Sequence, residues 1–392
     1  MEKVQKTILS PILKLIQRAR AKIERTLEQL FCKLADKMRG FVLNGLLYGP
    51  PSKVFSLLHQ DLLTKRTEFG RIAFLGQGTQ IARKPSIIEL SGLDTNSVPK
   101  WPFFWAYIKN AHLRGRGLSL FDQANSVCQE SIGSPNYKIA KAWFDVSLGR
   151  PISLEGPITS VISQWVPYQG PTNYAHWLFE ALPRLALLEE MPPSTKILVP
   201  SKLPDFALQS LHDLGYSDRL VSVNKSNLCL ENFYFTSTPA HIVCYNPFAV
   251  RWLREKWLKP LKSTKERSSI YLHRPRPYRT NANEEEVCKY FETQGWNVVD
   301  CSKISFHEQI ALFSGAKMVA GPHGAAFANI VWCQQGTKVL EIFSSAFLNG
   351  CYEWVARELS LDYRFMICPR NFHGEAKVDL RQLEKLLVAM QK

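Results

Sequence analysis

From Pro171 onward, short apolar runs alternate with longer segments of helical periodicity. Buried strands joined by helices form parallel sheets, so this alternation predicts an α/β fold. A basic stretch at residues 262–268 separates two such blocks, and ligands of these sheets bind at the carboxyl ends of the strands. The predicted strands are Lys196–Pro200, Leu220–Val223, Phe233–Thr236, Ser269–His273, Trp296–Asp300, Lys317–Ala320 and Lys338–Phe343.

The helices between these strands carry recognisable start and stop signals. Ser305 and Glu308 form a capping box, Asn283 is a candidate cap, and Pro183 should kink the helix that contains it. Short apolar runs between residues 100 and 170 and at Arg71–Leu75 indicate further β-structure. The predicted helices are Asn173–Glu190, Phe206–Leu214, Trp252–Leu261, Glu284–Gln294, Ser305–Ser314, Ala325–Cys333 and Asp379–Met390.

The most informative turn follows the strand that ends at Ala320. Gly321 and Gly324 let the main chain approach a ligand, and free N–H groups at the start of the next helix attract phosphate. His323 on this turn is a candidate donor to a phosphate oxygen, or an ordinary hydrogen-bonded turn residue. Glu341, on the next strand, is a candidate for holding a ribose or for a salt bridge.

A second candidate site lies on the helix that begins near Asn173. His176 and Glu180 are four residues apart and therefore share one helical face. A neutral histidine can act as a general base near neutral pH, with the carboxylate orienting it. Glu180 as the base is the main variation, and a buried hydrogen-bonded pair without catalytic function is the alternative.

Three arginines, Arg274, Arg276 and Arg279, follow directly after a predicted strand. Guanidinium groups suit the paired oxygens of a pyrophosphate, so this cluster is a candidate phosphate contact. The sequence has no short acidic metal clamp, phosphate-binding NTPase loop, zinc-protease motif or serine-hydrolase elbow. Metal-assisted hydrolysis, NTPase activity and serine hydrolysis are therefore unsupported.

Charge and cysteine content restrict which classes of binding partner and which cellular compartment the sequence predicts. The 392-residue chain has a net charge of +15, of which residues 1–40 contribute +6 on an amphipathic helical pattern. Such a helix binds an anionic membrane surface or packs on protein. Nucleic acid is not expected, because no recognition motif accompanies the charge. The nine cysteines have no CxxC spacing, which favours reduced thiols and a cytoplasmic location.

Four stretches together resemble glycosyltransferase family 61, which includes capsular polysaccharide biosynthesis proteins. They are Asn173-Tyr-Ala-His-Trp177 with Pro183-Arg184, Tyr271-Leu-His-Arg274, Gly321-Pro-His-Gly-Ala325 with Asn329, and Val339-Leu-Glu-Ile342. The resemblance covers about residues 150–345. The sequence departs from the family pattern at His273, where a small residue is more usual, and at Ala326 and Phe327.

The resemblance implies two Rossmann-like domains of the GT-B type and an inverting, metal-independent hexosyl or pentosyl transfer from a nucleotide sugar. The acceptor hydroxyl of such a reaction must lose a proton, which makes His176, oriented by Glu180, the candidate base, and no metal or other cofactor is expected. The implied donor contacts are Arg274, Arg279, Gly321, His323, Gly324, Ala325, Asn329 and Glu341. The patterns along the chain and the resemblance together predict a basic helical arm at 1–45, an acceptor-side domain at 46–262 with a β-rich start that is Rossmann-like from about 151, a donor-binding domain at 263–372, and a closing helix at 373–392.

The expected acceptor is a glycan or a lipid-linked glycan used in cell-surface polysaccharide synthesis, at the inner face of the membrane. Two other functions stay open at this point. One is a polysaccharide pyruvyl transferase on a similar frame, whose donor carries no nucleotide. The other is a non-catalytic scaffold of polysaccharide assembly, which would tolerate loss of His176 and His323.

Overall fold

The computed structural model describes residues 54–55, 69–74, 103–121, 127–132, 151–241, 244–258, 268–275 and 280–391. The predicted arm at 1–45, Arg276 and Arg279 lie outside these residues. The strands are β1 Val54–Phe55, β2 Phe69–Phe74, β3 Phe104–Arg114, β4 Ser119–Phe121, β5 Val127–Cys128, β6 Ile152–Ser160, β7 Lys196–Pro200, β8 Leu220–Val223, β9 Asn227–Thr236, β10 Ala240–His241, β11 Cys244–Tyr245, β12 Ser268–Leu272, β13 Asn297–Val299, β14 Ala316–Pro322, β15 Lys338–Ser344 and β16 Asp362–Cys368.

Seven helices accompany these strands in the described residues. They are α1 at 174–190, α2 Asp205–Asp213, α3 Pro247–Trp257, α4 Glu284–Thr293, α5 Phe306–Ser314, α6 Cys351–Glu358 and α7 Leu380–Gln391. A buried 3-10 helix spans Ala325–Trp332, and shorter 3-10 turns occur at Gln129–Ser131, Ser217–Arg219 and Cys301–Lys303. Within the described residues, no helix is both long and apolar enough to cross a membrane.

The first sheet is mixed, with the strand order β1-β5-β4-β3-β9-β6-β7-β8 and β2 also paired with β3. Its β9, β6, β7 and β8 strands are parallel neighbours, as the alternating pattern predicts. The long β3 strand pairs antiparallel with β2, β4 and β9. The part of the first sheet around β3 therefore differs from a Rossmann-like sheet, in which the strands are parallel. Strands β3 and β4 are joined by the tight turn 115–118, which needs no crossover helix.

The second sheet is entirely parallel, in the order β13-β12-β14-β15-β16. The chain begins in β12, moves to β13 on one side and then crosses to β14 on the other. Such a reversal leaves a crevice at the carboxyl ends of the two central strands, here β12 and β14. These are the strands that precede Arg274 and His323.

Helix α1 is irregular, as Pro183 predicts. It starts as a single α turn at Tyr174–His176, widens into a π turn at Trp177–Ala181 and tightens into a 3-10 helix at Leu182–Glu190. The Leu182 N–H donates to the Trp177 carbonyl, five residues back, which is the π register. Proline has no N–H and cannot continue an α ladder, so the helix changes register around it.

One apolar cluster extends from the helices of the first block into those of the second. It includes Trp177, Trp257, Trp332, Phe306 and Phe327, all with at most 6% of their surface exposed. Arg254 on α3 donates to the carbonyls of Val331 and Cys333 at 2.6 and 2.7 Å, which adds polar contacts between the blocks. The two blocks therefore share one core.

Several boundaries differ from the sequence-based predictions. The strand predicted at Phe233–Thr236 begins at Asn227, and the helix predicted at Trp252–Leu261 begins at Pro247. Asn283 does not cap α4 with its side chain, which instead donates to Glu286 and to the Val378 carbonyl. Strand β16 and helix α6 had no counterpart among the predicted elements.

Candidate functional site

The turn after β14 is built on close main-chain approach. A Cβ atom on Gly321 would lie 2.7 Å from the Cβ of Leu272 on the neighbouring β12, too close for any side chain. Gly324 faces a second obstacle, since a Cβ there would lie 1.8 Å from a guanidinium nitrogen of Arg274. Gly321 therefore allows the main chains of β12 and β14 to approach each other, whereas Gly324 leaves room for the Arg274 guanidinium in the position that it occupies.

Arg274 lies across this turn. Its Nη1 donates to the main-chain carbonyl of His323 at 2.9 Å, and its main-chain N–H donates to Glu284 Oε1 at 3.1 Å. The side chain is half-buried and is held at the crevice between β12 and β14. A fixed guanidinium at this place is suited to an anionic ligand.

His323 is paired with Glu341 on the adjacent strand β15. The distance from His323 Nδ1 to Glu341 Oε1 is 2.5 Å, and the Tyr363 hydroxyl donates to Glu341 Oε2 at 2.5 Å. Glu341 is fully buried, so the predicted direct contact with a ribose does not fit this arrangement. Glu341 instead orients His323, whose Nε2 is bonded by none of the described residues.

Aromatic rings enclose the His323 imidazole. Phe343 stacks on it at 5.1 Å between ring centroids, and Phe347 and Tyr352 each lie 5.4 Å away. Only 10% of the His323 side chain is exposed, whereas 41% of Phe347 is exposed at the rim. The packing fixes the ring and leaves a small part of it accessible.

His176 and Glu180 form the pair that the sequence predicts. The His176 Nδ1 atom lies 2.5 Å from Glu180 Oε1, and the Asn173 side chain caps the helix by accepting from the Ala175 and His176 N–H groups. The ring of Trp165 stacks on the imidazole at 5.1 Å and 9°. The His176 side chain is 25% exposed, so a substrate can reach it.

Glu180 has one oxygen without a protein partner. Its side chain is 3% exposed, and Oε2 is buried with no hydrogen bond among the described residues. An unsatisfied buried carboxylate oxygen costs free energy and occurs at functional sites more than elsewhere. Burial raises the pKa of the Tyr245 phenol, and the nearby Glu180 charge adds to this shift.

Tyr245 and α6 connect the two histidine–carboxylate pairs. Burial and the nearby Cys351 thiol raise the pKa of the Tyr245 phenol, and the Tyr245 and Tyr352 rings lie 6.5 Å apart. Cys351 is near enough to Glu341 for the carboxylate to raise the pKa of the thiol, although burial is the larger cause. A series of neighbouring residues, Tyr245 and Tyr352, thus links Glu180 of the first block to His323 of the second.

Asn329 is fully buried and is used entirely within the protein. It accepts from the Tyr174 hydroxyl at 2.7 Å and from the Trp332 indole at 3.2 Å, and it donates to Gln309 at 2.7 Å. The predicted donor contact of Asn329 therefore becomes a structural role. Through Tyr174, it ties the start of the His176 helix to the 3-10 helix that follows His323.

Arg184, part of the Pro-Arg pair, has a similar structural role. Its guanidinium is buried and donates to the side chain and carbonyl of Thr236 and to the Ile162 carbonyl. Burial lowers the pKa of Arg184 to about 10, and the Glu180 charge opposes this shift. Arg184 anchors α1 to the first sheet.

Sequence reasoning missed the residues that support these pairs. Trp165, Tyr245, Cys351 and Tyr363 belong to no motif, and their contacts form only on folding. Ala325 begins a 3-10 helix beside Gly324, where the sequence predicts the start of a helix, and its contact with the donor stays a prediction. The predicted contact of Arg279 lies outside the described residues.

Residues 174–340 match the family model for glycosyltransferase 61. This segment belongs to glycosyltransferase family 61. It contains His176, Glu180, Arg274, His323 and Asn329, and Glu341 follows directly after its last matched residue. No curated protein matches the chain significantly.

Proposed function

We propose that this family 61 glycosyltransferase moves a hexosyl or pentosyl group from a nucleotide sugar to a glycan hydroxyl with inversion and without a catalytic metal. The observation that carries the proposal is the placement of Arg274, Gly324 and His323 at the strand-order reversal of a parallel sheet. Ligands of such sheets bind at this point, and the groups present there suit a diphosphate.

The leaving diphosphate gains negative charge as its bond to the sugar breaks. Arg274 and a protonated His323 would neutralise that charge, with Glu341 holding His323 through Nδ1 and leaving Nε2 to donate. Free N–H groups at the start of the 3-10 helix would add to this stabilisation. These groups replace the electrostatic role of a metal in the proposed reaction.

The acceptor hydroxyl must lose a proton as its oxygen attacks the anomeric carbon. In the proposed single displacement, the new C–O bond forms, the bond to the diphosphate breaks, and the proton passes to His176 Nε2. Glu180 holds Nδ1 and stabilises the imidazolium that forms. The unpartnered Glu180 Oε2 leaves open the variation in which the carboxylate itself accepts the proton.

A GT-B arrangement would fit a protein in which one block binds the donor and the other carries the catalytic base. The donor groups lie on the all-parallel second sheet, and the candidate base lies on α1 of the first block. The shared region around Tyr245 and Tyr352 brings the two sets together. We propose that the first block faces the acceptor and the second binds the nucleotide.

Donor binding is tested with a thermal-shift panel of UDP, GDP, CMP and dTDP and their common sugars, each with magnesium and with EDTA. A ligand at about 100 times its Kd adds about 2.7 kcal/mol of stability. We expect stabilisation by one nucleotide family, unchanged by EDTA. Arg274→Ala should weaken that binding by about 10–100-fold, the loss of a charge-assisted hydrogen bond.

The matched control is Arg251→Ala, because Arg251 is an exposed arginine on α3 that pairs with Glu358 at the end of α6. This variant should bind nucleotide like the wild type. Equal losses in both variants would contradict a specific contact by Arg274. Absence of stabilisation by any nucleotide would contradict the proposed donor and favour a pyruvyl transferase or a scaffold.

We further propose that the protein works in the cytoplasm on lipid-linked acceptors of cell-surface or capsular polysaccharide. The supporting observation is the basic amphipathic pattern of residues 1–40. Deletion of residues 1–40 should abolish sedimentation with anionic vesicles, while neutral vesicles bind neither form. Equal binding of anionic vesicles by the truncated and full chains would contradict membrane contact through this segment.

A further inference from the structure

Three metal-ligating atoms converge at the carboxyl end of β12, one residue before Arg274. His273 Nδ1 lies 3.1 Å from Glu284 Oε1 and 3.3 Å from Cys288 Sγ, and Sγ lies 3.9 Å from the same carboxylate oxygen. Glu284 and Cys288 are four residues apart and lie on one face of α4. The cluster therefore joins a strand end to the first turns of a helix.

The three separations match the edges of a zinc coordination tetrahedron. Zinc bonds of roughly 2.0–2.3 Å to nitrogen, oxygen and sulfur place neighbouring ligand atoms about 3.3–3.6 Å apart. The measured separations of 3.1, 3.3 and 3.9 Å bracket this range, so small side-chain movements suffice to bind an ion. The fourth vertex would be open to water or to a ligand.

Supporting hydrogen bonds hold the carboxylate in place. Glu284 Oε2 accepts from the Tyr271 hydroxyl at 2.8 Å and from Asn281 at 2.6 Å, and Oε1 accepts from the Arg274 N–H. Glu284 is buried, whereas the His273 side chain is 30% exposed. An oriented, buried carboxylate behind a more accessible imidazole is typical of a metal site with an entry path.

We propose that His273, Glu284 and Cys288 bind a zinc ion. None of their side chains belongs to the two histidine–carboxylate pairs, although Glu284 Oε1 also accepts from the main-chain N–H of Arg274. The ion binds to the Sγ atom as thiolate, and the displaced thiol proton passes to solvent. The ion would fix the end of β12 against α4 and thereby the main chain at Arg274.

Thiolate formation depends on the ion. Burial, with the nearby Glu284 carboxylate, raises the pKa of the Cys288 thiol to about 12. A divalent cation instead favours the thiolate, because it binds the deprotonated sulfur. Without an ion, the Cys288 thiol keeps its proton at neutral pH.

Zinc content and cobalt substitution test the site in the full chain, purified without a metal-affinity tag. We expect about one zinc per chain by mass spectrometry of the elements, and a thiolate-to-cobalt charge-transfer band when Co²⁺ is added to the metal-free protein. Cys288→Ser should abolish the band and His273→Ser should lower zinc affinity by roughly tenfold or more. Cys229→Ser, at a half-buried cysteine on β9, is the control and should change neither.

A measurement on the wild type avoids dependence on variant folding. Zinc should slow alkylation of Cys288 at least several-fold, as followed by peptide mass spectrometry, without slowing that of Cys229. Zinc uptake that is equal in the wild type, Cys288→Ser and His273→Ser would identify only adventitious surface binding and overturn the proposal. Absence of both zinc and the cobalt band would overturn it as well, and would leave His273 as a simple hydrogen-bond partner of Glu284.

Discussion

The same residue pair occurs twice, in two different settings. His176 and His323 each have Nδ1 at 2.5 Å from a buried carboxylate, with Nε2 directed away from it. His176 is the more exposed, with 25% of its side chain accessible against 10% for His323. This difference in exposure suits the proposed roles. The acceptor must be able to reach a general base, whereas a residue that stabilises the leaving diphosphate acts more strongly when it is rigid and shielded from water.

His176→Ala should lower kcat by about 10²–10⁴-fold, the usual contribution of a general base. KM for the nucleotide sugar should change little, since the donor groups lie on the second sheet. Glu180→Gln, which preserves shape but removes the negative charge, should also lower kcat with little effect on KM. Steady-state kinetics with a soluble acceptor measures both constants.

The control for this prediction is His307→Ala. His307 is exposed and pairs with Asp213 on α2, outside both histidine–carboxylate pairs. Its loss should leave kcat within about twofold, as expected for a surface pair of small energy. A rise in KM at constant kcat in His176→Ala would assign His176 to binding and contradict its role as a base.

At the scale of elements, the irregular register of α1 positions His176 and Glu180. Pro183→Ala supplies an N–H group and permits a regular α ladder through Trp177–Ala181. We expect kcat to fall about tenfold or more, because the His176–Glu180 geometry shifts, while the thermal midpoint stays equal or rises. A retained kcat with a raised midpoint would show that the π turn has no role in catalysis.

The sequence predicts the elements better than their internal geometry. The capping box at Ser305 is confirmed, with Glu308 completing it, because both hydrogen bonds are local. The His176–Glu180 pair was predictable for the same reason. The register of α1 was not, because it depends on how the π turn packs against the rest of the fold.

Long-range contacts limit what the sequence predicts of the site. Tyr363 reaches Glu341 only because β15 and β16 are parallel neighbours, and β16 carries no clear pattern. Asn329 resembles a ligand-binding residue in the sequence but is buried, with Tyr174 as its partner from the other block. Such roles follow from the assembled core, which a single sequence does not specify.

At the scale of the whole molecule, buried phenols make the fold sensitive to alkaline pH. Burial raises the pKa of Tyr174, Tyr245, Tyr271 and Tyr363 above the usual value, with nearby anionic groups adding to the shift. In the unfolded chain these phenols ionise near pH 10, whereas the folded chain retains their protons. Their contribution to stability is therefore complete below pH 10 and is lost as pH rises above it.

Each phenol that keeps its proton in the folded chain lowers the free energy of unfolding by about 1.4 kcal/mol per pH unit above pH 10, so these four together give roughly 5 kcal/mol per unit. Urea unfolding at pH 9.5, 10.5 and 11 should show this decline, with phenolate absorbance appearing together with loss of structure. Tyr363→Phe should reduce the slope by about 1.4 kcal/mol per unit, whatever it does to stability at pH 7. An unchanged slope in this variant, or phenolate absorbance that precedes unfolding, would mean that Tyr363 ionises within the folded protein and that its hydroxyl does not depend on the buried contact with Glu341.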